Sequence, residues 1–132
     1  MKVATVIASF ALASCSPSLA PDQNWANKTW VLYELNGVPV PTRGTGQDAH
    51  LQFNPATQRF SGSAGCNRIM GGYKIEGKDK ITFGKAGTTL MACPDMALEQ
   101  QFLQALELIS RFETKDNTLL LKKDDEVRMR FR

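Results

Sequence analysis

The residues with the clearest capacity for chemistry are Cys66 and Cys93, in a chain of 132 residues that contains three cysteines. Cys66 lies in residues 62–68, GSAGCNR, a run of small residues typical of a turn. A thiol presented in this way can be a nucleophile, a metal ligand or half of a disulfide. The residues available elsewhere in the chain decide between these three roles.

A catalytic or metal-binding role for either thiol lacks partners in the sequence. A nucleophilic cysteine needs a base, and the one histidine, His50, lies in an alternating run that predicts a strand. A zinc site needs four ligands, and both zinc and thioredoxin-type redox sites favour a C-x-x-C pair, which is absent. We therefore expect no catalytic residues, no metal and no cofactor. A thiol-dependent enzyme or redox protein using Cys66 or Cys93 stays open as an alternative, because Arg68 would favour a thiolate.

The third cysteine, Cys15, follows a signal sequence. Residues 3–12 are apolar or small and fall short of the roughly twenty residues that a membrane-spanning helix needs. Residues 12–15, LASC, resemble the bacterial lipobox, which predicts cleavage before Cys15 and lipid attachment to its thiol. Cleavage after Ala20 is the alternative, although Pro21 would follow the cut. We predict a signal peptide over residues 1–14 and a lipidated tether over residues 15–26.

This assignment predicts both a location and a disulfide. Acyl chains on Cys15 anchor the protein to a membrane, and Ser16 in place of an aspartate favours the outer membrane of a bacterial envelope, facing the periplasm. Two cysteines then remain in an oxidising compartment, where thiols tend to pair. Cys66 and Cys93 lie 27 positions apart. A disulfide between them would stabilise the fold by roughly 3.5 kcal/mol in the chain-entropy model.

The charge distribution argues against nucleic acid as a partner. The net charge is +3, with 16 basic residues dispersed among 13 acidic ones. The densest basic run, residues 122–132, is interrupted by acidic residues and predicts a solvated strand face.

The predicted fold is α+β and dominated by β-structure. Turn residues separate three pairs of short apolar runs, which predicts hairpins over residues 50–61, 71–83 and 118–131. Residues 29–35 and 38–40 predict strands joined by a turn, and residues 88–92 a further strand. Residues 94–110 have a helical period, with Pro94 and Asp95 suited to the start. We expect an antiparallel curled sheet, or a small barrel, closed by this one helix.

The sequence resembles the META domain proteins of the HslJ type, which are bacterial envelope lipoproteins also described as heat-shock proteins. The resemblance rests on two blocks, GCN at residues 65–67 and MACP at residues 91–94, and on Trp30, Thr89 and Glu99 around them. It extends over residues 30–131, and we place the domain at residues 27–132. The resemblance implies a β-rich, barrel-like fold with one helix, similar to small lipoproteins that pilot secretins. It implies no enzymatic activity.

We therefore expect a non-enzymatic lipoprotein that serves as a binding or accessory module in envelope stress or integrity. Its expected partners are the membrane, through the N-terminal lipid, and an unidentified periplasmic protein or apolar ligand. A pilot-like carrier of an apolar ligand or secretion component, and a purely structural tether, stay open beside it. No ligand-binding residue is assigned. Asn67 and Tyr73 could line a site, but Asn67 fits a turn residue and Tyr73 a core aromatic equally well.

Overall fold

The computed structural model describes residues 23–44 and 46–132, together with residues 4, 9 and 11. Apart from residues 4, 9 and 11, the predicted signal peptide lies outside the described residues, as do Cys15 and most of the predicted tether.

The described residues form ten strands, one α-helix and a 3₁₀ turn at Gln23–Asn27. The helix α1 spans Ala97–Leu108. The strands are β1 (Trp30–Leu35), β2 (Val38–Pro39), β3 (His50–Asn54), β4 (Arg59–Ser63), β5 (Arg68–Glu76), β6 (Lys80–Phe83), β7 (Gly87–Thr88), β8 (Arg111–Lys115), β9 (Thr118–Lys123) and β10 (Glu126–Phe131).

Eight of the strands in the described residues close into an antiparallel barrel, in the order β1-β3-β4-β5-β6-β8-β9-β10 and back to β1. The closing pair places Leu32 opposite Phe131. β2 pairs with β1, and β7 pairs with β5. Closure leaves no long unpaired edge in the barrel wall. The predicted β-dominated fold is confirmed, in its barrel form.

The barrel interior is filled by side chains that alternate along each strand. On β9 and β10, Leu119 lies opposite Phe131 and Leu121 lies opposite Met129, and all four are fully buried. The predicted hairpins are present, each within a few residues of its expected bounds. The turn at residues 36–37 has φ values of 49° and 80°, which suit an Asn-Gly pair in a tight hairpin.

The packed domain begins earlier than the predicted boundary at residue 27. Trp25 is 8% exposed, and its ring lies 4.8 Å from that of Phe53 and 5.3 Å from that of Phe112. Its backbone oxygen accepts a hydrogen bond of 2.7 Å from the indole nitrogen of Trp30. A single 3₁₀ turn has no periodic sequence pattern, so one tryptophan in a polar stretch does not indicate from the sequence that this segment is packed.

The helix is shorter than the predicted span of residues 94–110. It begins at Ala97, whose backbone N–H donates a 2.9 Å hydrogen bond to Asp95 Oδ1. Pro94 and Asp95 therefore precede the helix and do not form its first turn. The predicted apolar face is present: Phe102 and Leu106 are buried, and the Phe102 ring meets Phe131 edge-on at 6.3 Å.

Two further differences concern strands. The predicted strand at residues 88–92 is only Gly87–Thr88. Thr89 N–H still donates to the Arg68 oxygen of β5, but Met91 N–H donates to the Asn67 side chain instead of to a strand. The sequence predicts no helix or strand over residues 111–115, and these residues form β8. That strand buries Phe112 alone, so its sequence shows too little alternation to be recognised.

Candidate functional site

The structure brings Cys66 and Cys93 together. Cys66 lies between β4 and β5, and Cys93 lies between β7 and α1. Their Cα atoms are 6.4 Å apart, inside the range that disulfides occupy, and the two sulfur atoms are within bonding distance. Both residues are half-buried. The geometry therefore fits the disulfide that the cysteine count predicts.

Asn67, beside Cys66, is the centre of a buried hydrogen-bond network and is 2% exposed. Its backbone N–H donates to Glu99 Oε1 at 2.8 Å, and its side-chain Nδ2 donates to Glu99 Oε2 at 2.9 Å. Its Oδ1 accepts from the Met91 backbone N–H at 2.7 Å and from the Thr89 hydroxyl at 3.0 Å. We call these four residues the Asn67 network.

Glu99 gives the network its charge. It lies in the first turn of α1 and is 5% exposed. A buried carboxylate is costly unless hydrogen bonds replace its water, and the two Asn67 donors, one on each oxygen, do so. The positive end of the helix dipole adds to this stabilisation. Among the described residues, Glu99 has no basic side chain as an ion-pair partner.

The network joins the turn before β5 to the segment after β7 and to the first turn of α1. Thr89 makes two hydrogen bonds with the Arg68 backbone: its N–H donates to the Arg68 oxygen, and its hydroxyl accepts from the Arg68 N–H, both at 3.0 Å. Gly65 has φ of +113°, and a Cβ there would lie 3.1 Å from the Leu98 side chain. The turn before β5 therefore packs directly on the start of the helix.

The other candidates have structural roles. Nδ1 of His50 lies 2.7 Å from the backbone oxygen of Asp48. Tyr73 is a core aromatic whose ring meets Phe53 edge-on at 5.2 Å, and burial raises the pKa of its hydroxyl. The sequence allows Asn67 and Tyr73 to be ligand-binding residues or structural ones, a turn residue and a core aromatic. The structure favours the structural role for both.

The sequence does not show Glu99 to be a partner of Asn67. Their bonds span 32 positions, and no local pattern reports such a pair. One signal was available: Glu99 lies three residues before Phe102 and seven before Leu106, on the apolar face of the helix. A carboxylate on a buried face needs a partner, and an asparagine beside the disulfide cysteine supplies it.

The described residues provide neither a cluster of metal ligands nor a membrane-spanning helix. Within residues 23–44 and 46–132, no group of three or more His, Cys, Asp or Glu side chains converges in a way that could hold a metal ion. No helix among the described residues is long and apolar enough to cross a membrane. The donors and acceptors of the Asn67 network satisfy one another, so the arrangement is suited to holding loops in place.

Two solved structures share this fold. The NMR structure of a protein from Burkholderia xenovorans has a TM-score of 0.64 and 26% sequence identity, covering 92% of this chain and 97% of that one. The crystal structure of a DUF4847 family protein from Bacteroides vulgatus has a TM-score of 0.60 at 19% identity, covering 83% and 94% of the two chains. That second likeness is one of fold alone.

The sequence comparisons give the family. No curated protein matches the chain significantly. The sequence profile of the META domain matches residues 23–132, which include the 3₁₀ turn with Trp25 and every strand of the barrel. The GCN and MACP blocks, which carry the resemblance in the sequence, are the two loops that the Asn67 network joins. The chain belongs to the META domain family.

Proposed function

We propose that this protein is a non-enzymatic lipoprotein of the bacterial envelope, anchored to the outer membrane through Cys15, whose barrel acts in the periplasm as a binding or accessory module. Envelope stress or integrity is the process it serves. Family membership supports the non-catalytic role, and the lipobox at residues 12–15 supports the anchor.

One observation carries the non-enzymatic part of the proposal: the groups best suited to chemistry are already bonded to one another. Asn67 uses its backbone N–H, its amide nitrogen and its amide oxygen on Glu99, Thr89 and Met91. Glu99 is buried and receives a donor on each oxygen. A general base must be able to reach a substrate, and this carboxylate is held inside the fold.

The alternatives have less support. A thiol-dependent enzyme needs a free thiolate at Cys66 or Cys93, and the sulfurs of these residues lie within bonding distance of each other. A carrier of an apolar ligand needs an apolar cavity, whereas the barrel interior is packed with buried side chains, among them Phe60, Phe102 and Phe131. A ligand would therefore bind to the outside of the barrel.

The anchor is tested by expressing the chain and its Cys15→Ser variant in a Gram-negative bacterium and fractionating the envelope. We expect the parent chain in the outer membrane with a lipid-modified N-terminus by mass spectrometry, and the variant without lipid and outside that fraction. A Ser16→Ala variant is the matched control, since it changes the neighbouring residue and keeps the acceptor thiol. An unmodified parent chain with its N-terminus at Pro21 would contradict the proposed anchor and indicate cleavage after Ala20.

A further inference from the structure

An open cleft lies on the outer surface of the barrel, where the chain leading into β1 crosses β3, β4 and the loop between them. Its volume is about 640 Å³, inside the range of small-molecule sites. We call it the Lys28–Arg59 cleft after its two basic residues. It lies apart from the Asn67 network, since the two have no residue in common.

The floor of the cleft is a row of outward-facing side chains in register across three strands. Gln52 on β3 pairs with Ser61 on β4, which in turn pairs with Met70 on β5. All three are exposed, because their neighbours in the strands point into the core. The row offers an amide, a hydroxyl and a flat apolar surface side by side.

The polar groups of the cleft are held in place. Gln52 Nε2 donates a 2.7 Å hydrogen bond to the Thr29 hydroxyl, which joins the entering chain to β3. Asn54 Oδ1 accepts from the backbone N–H groups of Ala56 and Thr57 at 3.1 and 3.3 Å, which fixes the loop after β3 and leaves the Asn54 amide hydrogens available. Prearranged donors lower the entropy lost when a ligand binds.

Among the described residues, the lining of the cleft carries two basic side chains and no acidic one. Every lining residue comes from residues 23–33 or 49–75, and neither stretch contains Asp or Glu, although 13 of the 132 residues are acidic. Lys28 Nζ lies 4.1 Å from the centre of the Trp30 ring, which restrains the ammonium group. Among the described residues, neither Lys28 nor Arg59 forms an ion pair.

We propose that the Lys28–Arg59 cleft binds an anionic saccharide, a sugar that carries a phosphate or a carboxylate. Amides and hydroxyls at Gln52, Asn54 and Ser61 match sugar hydroxyls as donors and acceptors. The exposed methionine on the floor packs against the apolar face of a sugar ring. Lys28 and Arg59 bind the anionic group, and Arg59 can do so with two parallel bonds. This inference specifies the ligand of the binding module proposed above and rests on that role.

The test titrates the purified chain with four probes: trehalose 6-phosphate, digalacturonate, neutral trehalose and inorganic phosphate. Calorimetry gives affinities, and amide chemical shifts give the location. We expect at least one anionic sugar to bind at least tenfold more tightly than trehalose or phosphate, with the largest shifts at Gln52, Ser61 and Met70. Binding of trehalose 6-phosphate alone identifies phosphate as the anion, and binding of digalacturonate alone identifies a carboxylate.

Matched variants test the two cations. The double variant Lys28→Gln/Arg59→Gln should weaken binding of the anionic sugar at least tenfold. Lys115→Gln/Arg111→Gln removes the same charge from exposed positions on β8 and should change the affinity less than twofold. Circular dichroism shows whether each variant is folded. If the double cleft variant is unfolded, the single Arg59→Gln variant replaces it, with the single Lys115→Gln variant as its control.

Three results overturn the inference: equal binding of trehalose or of phosphate, shifts outside the cleft, or no binding of either anionic sugar at millimolar concentration. The outer-membrane fractionation of the Cys15→Ser variant is independent of these titrations. If the cleft binds no sugar, the proposed membrane anchor is unaffected. If the parent chain is not membrane-anchored, the saccharide titrations can still be interpreted.

Discussion

Replacing Asn67 by alanine should destabilise this protein more than any other exchange of a polar side chain for alanine in its loops. The change removes a hydrogen bond to the Glu99 carboxylate and the acceptor for Met91 N–H and the Thr89 hydroxyl. A bond to a charged group contributes about 1.5–3 kcal/mol and a neutral one about 1 kcal/mol. Since Met91 is exposed and its N–H can bind water, we expect a net loss of about 3–4 kcal/mol.

The assay is thermal and urea unfolding of the parent chain and the Asn67→Ala variant, followed by circular dichroism. For a domain of this size the loss corresponds to a fall in Tm of about 12–16 °C. Asn54→Ala is the matched control: it removes two hydrogen bonds at an exposed turn and should cost about 0.5–1 kcal/mol. A loss below about 1 kcal/mol for Asn67→Ala, or equal losses for the two variants, would refute the network as a source of stability.

Three other predictions follow from packing and charge. Gly62→Ala should lower the free energy of unfolding by about 3 kcal/mol or more in urea titrations, because the added Cβ would lie 2.0 Å from the His50 backbone oxygen. Gly46→Ala is the control: no atom lies within 4 Å of its Cβ, so the change should be less than about 0.5 kcal/mol. Trp25→Ala should cost about 3–5 kcal/mol by the same assay, and a negligible cost would return residue 25 to the tether. The 2.6 Å hydrogen bond from Lys122 lowers the pKa of Glu113. The contribution of this pair to stability is therefore present above the unfolded-state pKa and is lost as the pH falls through the folded-state pKa. NMR titration should show the Glu113 pKa rising in the Lys122→Met variant, and an unchanged pKa would contradict the pairing.

Much of the barrel could be predicted because its signals are local. The turn at residues 36–37 and the apolar runs around residues 54–58 report hairpins through turn chemistry and alternation. The face of α1 that contains Phe102 and Leu106 reports a helix in the same way. Whether the sheet closes depends on the pairing of β1 with β10, at opposite ends of the domain, and no local pattern encodes it.

The features that were missed depend on single residues or on distant partners. Trp25 is one buried side chain in one turn, and Phe112 is the one buried side chain of β8. The helix begins at Ala97 because Asp95 bonds to its N–H, although Pro94 also suits a first helical position. Asn67 and Glu99 each fit a local role, and only the folded chain shows that they bind each other.

The cysteine pair offers a further test of how the network works. The disulfide and the Asn67 network join the same two loops, so their contributions to stability should not add. The Cys66→Ser/Cys93→Ser variant should lose roughly 3.5 kcal/mol. Adding Asn67→Ala to it should cost measurably less than in the parent chain, because the loops are already released. Strictly additive losses would show that the two devices act independently.

The central claim, that the residues suited to chemistry serve to hold the fold, is tested most directly by counting thiols. Residues 16–132 are produced in an oxidising compartment, purified, denatured, and labelled with a thiol reagent before and after reduction, with the products analysed by mass. We predict no label on Cys66 or Cys93 before reduction and one on each after it, with a linked peptide containing both residues. Free thiols at both positions in the native material would contradict the claim and return Cys66 as a candidate nucleophile.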